Sequence, residues 1–101
     1  MEVEIVPTEF ELYQNYPNPF NSSTVIRYSL PHSSSIEIIV FNPIGEVIQR
    51  EVMENQEAGN YEWELTGNEL SSGTYFYRIQ AVPIGRQAGD FTQTKKMILM
   101  K

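Results

Sequence analysis

One histidine, thirteen carboxylates and a scatter of serines are the groups in this 101-residue chain that suit acid–base or nucleophilic work, and there is no cysteine. His32 stands between Pro31 and the run Ser33-Ser34-Ser35, in turn-forming company. A general base needs an acceptor to orient it, and the neighbouring sequence offers none. Ser22, Ser23, Ser33, Ser34, Ser35, Ser71 and Ser72 read as turn formers, and none lies in a G-x-S-x-G elbow. A glycosidase pair must face across a cleft, which a chain this short does not build. Glu62 and Glu64, two apart, share an exposed face and read as solubilising charge. Asp90 is the single aspartate, with no D-x-D-x-D-G calcium loop and no glycine-rich phosphate loop. The chemistry points to a protein that is not an enzyme, with no cofactor and no metal.

Aromatic residues make up 12% of the chain, enough to raise a sugar-stacking platform as a reading. Tyr61, Trp63, Tyr75 and Tyr77 fall in phase with inward positions, where core is the default explanation. The formal charge of −6 argues against a nucleic-acid partner held through phosphates. Its distribution is uneven: residues 1–70 sum to −10 and residues 71–101 to +4, with Lys95, Lys96 and Lys101 in the last seven positions. Lysines there either guard a solvated edge strand against aggregation or form a basic handle for a partner. No apolar run approaches the roughly 20 residues of a membrane helix, so no membrane insertion is expected. The acidic start Met1-Glu2-Val3-Glu4-Ile5 lacks the features of a signal peptide. Any export address is therefore expected elsewhere, on a larger parent chain.

The elements that would hold these groups are strands. Residues 74–81, Thr-Tyr-Phe-Tyr-Arg-Ile-Gln-Ala, are aromatic and β-branched, with Tyr75, Tyr77, Ile79 and Ala81 on one face. Residues 24–30 alternate, with Thr24, Ile26, Tyr28 and Leu30 turned one way until Pro31 stops the strand. Residues 35–41 place Ile36, Ile38 and Val40 together, and both faces turn apolar after Glu37. Asn42-Pro43-Ile44-Gly45 has the composition of a type I turn, leading to a weaker strand over 46–53 and a polar loop over 54–59. Residues 60–65 alternate cleanly, Tyr61, Trp63 and Leu65 inward. A long polar connection over 82–90 precedes a last strand over 91–100. A short N-terminal strand is expected within 2–12, limited by Pro7.

Between them, Pro17-Asn18-Pro19-Phe20 predicts an ordered loop, since two prolines remove donors and extend the preceding residues. Tyr16 and Phe20 are expected to plug the core. Asn21-Ser22-Ser23 is formally a glycosylation sequon. Gly73 is expected to need φ > 0 or close packing. Seven strands at this spacing, without helical periodicity, predict one all-β domain: an immunoglobulin-like antiparallel β-sandwich lacking a disulfide, with an open barrel as the other architecture. Residues 12–101 are expected to form the domain and residues 1–11 a linker.

Four segments carry a resemblance. Ser72-Gly73-Thr74-Tyr75-Phe76-Tyr77-Arg78 resembles the "SGxYFYR" signature of C-terminal sorting domains of the type IX secretion system, found in Bacteroidetes and related bacteria. Asn15-Tyr16-Pro17-Asn18-Pro19-Phe20-Asn21, followed by residues 24–31, is similar to that family's opening. Val40-Phe41-Asn42-Pro43-Ile44-Gly45-Glu46-Val47 resembles its "VYNxxGxxV", and residues 91–101 resemble the "FTxTKKMxLxK" that closes it. Ser22-Ser23 departs from a common proline, and Leu65-Thr66-Gly67 stands where many members have "WDG", with Trp63 two positions earlier. The resemblance implies a non-catalytic sorting signal on a larger exported cargo. Its implied partners are the type IX translocon and the sortase that removes it at the surface. Translocon recognition is expected at Gly73, Tyr75, Lys95, Lys96, Met97 and Lys101, by strand addition to the last strand, with Pro17, Asn18, Pro19 and Phe20 as the motif loop. The competing class is an immunoglobulin-like adhesion or carbohydrate-binding module.

Overall fold

The computed structural model describes residues 6–85 and 89–101. Among them are seven strands and no helix: β1 Glu11–Leu12, β2 Ser23–Leu30, β3 Ser34–Phe41, β4 Val47–Gln56, β5 Gly59–Thr66, β6 Gly73–Pro83 and β7 Phe91–Leu99. All pair antiparallel, in two sheets ordered β1-β2-β5 and β4-β3-β6-β7. No strand of one sheet pairs with a strand of the other, so the domain is a sandwich and the barrel is excluded. Placing the fourth strand beside the third, with the second and fifth opposite, is the immunoglobulin-like arrangement.

The alternating strands fold as their patterns require. Thr24, Ile26, Tyr28 and Leu30 of β2 are buried, facing Ile36, Ile38 and Val40 of β3 and Tyr75, Tyr77, Ile79 and Ala81 of β6. Met97 and Leu99 complete the core from β7, while Tyr61 and Trp63 are partly buried against it. Turning one face of each strand inward removes its apolar side chains from water, at about 25 cal/mol per Å².

Two expectations need correction. Residues 54–59 are no polar loop: β4 runs through Gln56 and β5 begins at Gly59. Those residues are polar because β4 is an edge strand exposed along nearly its whole length. The short strand expected within 2–12 is Glu11–Leu12, while residues 1–5 of the expected linker lie outside the described residues, as does Arg86 in the 82–90 connection. Tyr16 is no plug, being 72% exposed, whereas Phe20 is 1% exposed.

The outer face of the four-stranded sheet is partly apolar. Val47, Phe41, Phe76 and Lys96 form one cross-strand row; Arg50, Ile39, Arg78 and Thr94 form the next. The Phe41 and Phe76 rings stack with centroids 5.5 Å apart.

Candidate functional site

Every segment singled out in the sequence has a structural partner in another. Gly73 opens β6 with φ +152°, a backbone conformation that L side chains rarely adopt, and nothing lies within 4 Å of where its Cβ would be. Conformation, not crowding, therefore selects glycine there. Two residues on, the Tyr75 hydroxyl donates to the Ser71 carbonyl at 2.6 Å. A tyrosine at the start of this strand bonding a few residues upstream is the tyrosine corner of immunoglobulin-like sandwiches.

Tyr77 reaches the opposite way. Its hydroxyl donates to the Tyr13 carbonyl at 2.7 Å and accepts from the Asn15 amide at 2.8 Å. Burial pushes the Tyr77 phenol up to about 12, against the opposing pull of the Asn15 bond. Burial likewise raises Tyr28 to about 12, and its hydroxyl donates to Gln56 Oε1 at 2.7 Å.

The motif loop joins the two sheets. Tyr16 bridges to Val25 of β2, and Phe20 bridges in parallel to Leu99 of β7. The Tyr16–Pro17 and Asn18–Pro19 peptides are both cis. Inside the loop, the buried Asn15 Nδ2 donates to the Pro17 carbonyl at 3.1 Å and to Thr24 Oγ1 at 3.0 Å. Thr24 in turn donates to Pro17 at 2.8 Å. Phe20 packs beside Leu99 above Gly67, where a Cβ would lie 3.1 Å from both side chains. Gly67 thus makes the close approach at the corner where the sequence departs from the "WDG" pattern.

The same loop closes half of the edge expected to be open. Along the outer side of β7, Lys96 accepts through its carbonyl from Gln14 Nε2 at 2.7 Å, and the Ile98 amide donates to Asn18 Oδ1 at 3.0 Å. The Phe20 amide donates to the Ile98 carbonyl, and the Met100 amide to the Phe20 carbonyl, each at 2.9 Å. An added strand would meet groups already paired over 96–100, leaving Thr92 and Thr94 as the outward residues of the uncovered part.

The three terminal lysines do not form one handle. Lys95 and Lys96 are adjacent in an extended strand, so they face opposite sides of the sheet. Lys95 is half-buried on the inner side, and Lys96 is exposed on the outer side. Lys101 folds back onto the β5–β6 corner, its amide donating to Ser72 Oγ at 2.9 Å and its ammonium to the Asn68 carbonyl at 2.7 Å. Of the remaining expected recognition residues, Tyr75 is 8% exposed and Met97 fully buried. Sequence reasoning missed the tyrosine corner, although a tyrosine four residues after Ser71 across a glycine was its visible signal.

A concavity of about 420 Å³ between the sheet edges is lined by Ile48, Gln49, Thr66, Asn68, Glu69 and Leu70. Glu69 is the one titratable group among them, with no partner acid or base in the lining. Among the described residues, no three His, Asp or Glu side chains group to hold a metal.

Set against protein-family models, residues 14–100 match the secretion system C-terminal sorting domain. The search of curated proteins finds no match.

Proposed function

Because the chain belongs to the family of secretion system C-terminal sorting domains of type IX, we propose that it is the address by which a larger, covalently attached protein is passed through the type IX translocon. Family members mark proteins for export to the cell surface or medium. The parent is taken to pass through the periplasm and meet a sortase at the surface, with residues 12–101 as the address and residues 1–11 joining it to the cargo. The domain acts by being recognised, without catalysis.

The family match over residues 14–100 carries this reading. The mutual packing of its motifs supports recognition of the folded shape. Gly73, Tyr75, Met97 and the loop Pro17, Asn18, Pro19 and Phe20 act by holding that shape, and Lys95, Lys96 and Lys101 offer charge at its surface. Side-chain recognition replaces strand addition along β7, whose C-terminal half is already hydrogen-bonded.

The test is a passive reporter with a signal peptide, fused upstream of the full chain, in cells with and without the translocon. Reporter in the medium or on the surface of the first cells only is the expected result. Equal retention in both strains, or equal release from both, overturns the reading.

A further inference from the structure

We infer that the outer face of the four-stranded sheet docks the domain onto a protein surface that is apolar at its centre and acidic beside it. The inference deepens the sorting function proposed above and rests on it.

Charge is divided between the two faces of the sandwich. The outer face of the three-stranded sheet carries Glu11, Glu62 and Glu64 against Arg27, which is paired to Glu62 at 3.3 Å. Across the middle of the other outer face lie Arg50, Arg78 and Lys96 against Glu37 alone, and Arg50 bonds that carboxylate at 2.6 Å. Arg78 and Lys96 therefore have no carboxylate partner among the described residues. In a chain of net charge −6, the middle rows of this face carry more positive than negative charge.

These cations flank apolar side chains on one side and at one end. Phe41 and Phe76 stack between Val47, which is 59% exposed, and Lys96, with Ile39 in the next row. No described strand packs over them. Aromatic residues and arginine are enriched in protein interfaces, where they combine contact area with bidentate bonding to carboxylates. A partner bearing Asp or Glu beside an apolar patch matches both features, and complementary charge would speed the encounter. The same cations oppose face-to-face pairing of two copies of this chain.

The test compares export of the reporter fusion carrying the unaltered chain, Arg78→Glu with Lys96→Glu, and Glu64→Lys on the opposite sheet. Each purified domain is melted to check its fold. Should the double reversal lower the melting temperature, Arg78→Gln with Lys96→Gln replaces it. Expected are at least a tenfold loss of export for the double variant and unchanged export for Glu64→Lys. Export of the double variant at the unaltered level overturns the docking face while leaving the sorting function intact. Failure of the unaltered chain to be exported overturns both. Flotation of the purified domain with vesicles containing phosphatidylglycerol, abolished by the double reversal, overturns the protein partner in favour of a membrane. Concentration-dependent sedimentation abolished by the same reversal overturns it in favour of self-association.

Discussion

The Tyr77 hydroxyl lies 2.7 Å from the Tyr13 carbonyl oxygen and donates to it, fastening the segment before the motif loop to the middle of β6. The Asn15 amide donates back to the same hydroxyl, so one buried oxygen satisfies two backbone groups. Tyr77→Phe leaves both groups without this partner while preserving the ring. The expected cost is about 1–3 kcal/mol, read as a lower urea midpoint with an unchanged slope.

Gly67 and Gly73 are expected to fail for different reasons. Alanine at 67 drives a methyl group to 3.1 Å from Phe20 and Leu99, an overpacking worth about 1–3 kcal/mol. Alanine at 73 meets no neighbour but must hold φ +152°, a strain on the order of 1–3 kcal/mol. In a Phe20→Leu background the cost of Gly67→Ala should shrink, while that of Gly73→Ala should not. A double-mutant cycle by urea unfolding measures both.

Alkaline pH should unfold the domain through its buried phenols. Tyr28 and Tyr77 ionise at about 12 when folded, against 10.0 for a free phenol. Between those values the unfolded chain releases protons that the native state keeps, so stability falls as pH rises. It is fully present below pH 10 and is lost up to about pH 12. Thermal melts across that window should show the loss, and Tyr28→Phe with Tyr77→Phe should flatten its slope.

Removing residues 96–101 deletes more than charge, because Met97 and Leu99 are fully buried. Truncating one such side chain to alanine costs roughly 2–5 kcal/mol, a large share of the roughly 5–15 kcal/mol that holds a native domain. The truncated domain should lose its near-ultraviolet dichroism and, in a fusion, its export. Lys101→Ala removes only an exposed contact to Asn68 and should melt near the unaltered protein. Comparing the two separates loss of shape from loss of charge.

Asn18→Ala should reopen part of the β7 edge. The Ile98 amide then loses its acceptor, and its hydrogen exchange should accelerate while amides paired to β6 keep their protection.

Much of the fold was readable because a two-residue period survives wherever one face is buried and the other wet. The alternation of Thr24, Ile26, Tyr28 and Leu30, and of Tyr61, Trp63 and Leu65, is that physical asymmetry written along the chain. It fails in β4, an edge strand exposed along most of its length: solvent keeps Glu54 and Asn55 polar, Gln56 accepts a bond from Tyr28, and polarity without period resembles a loop. Periodicity is also silent in the motif loop, where the direction of a side chain depends on distant partners. Tyr16 and Phe20 look alike in sequence, yet one faces water and the other lies against Leu99. Closeness in sequence also hides the pleat that turns Lys95 from Lys96.

The bonds from Asn18 and Phe20 to Ile98 and Met100 have a consequence for synthesis. These loop residues emerge from the ribosome some eighty positions before the strand that accepts them. A polypeptide interrupted before Ile98 can make neither pair, however much of the preceding chain has folded. The loop that joins the two sheets is therefore fastened only once β7 has been made, and an interrupted chain would carry that loop unpinned.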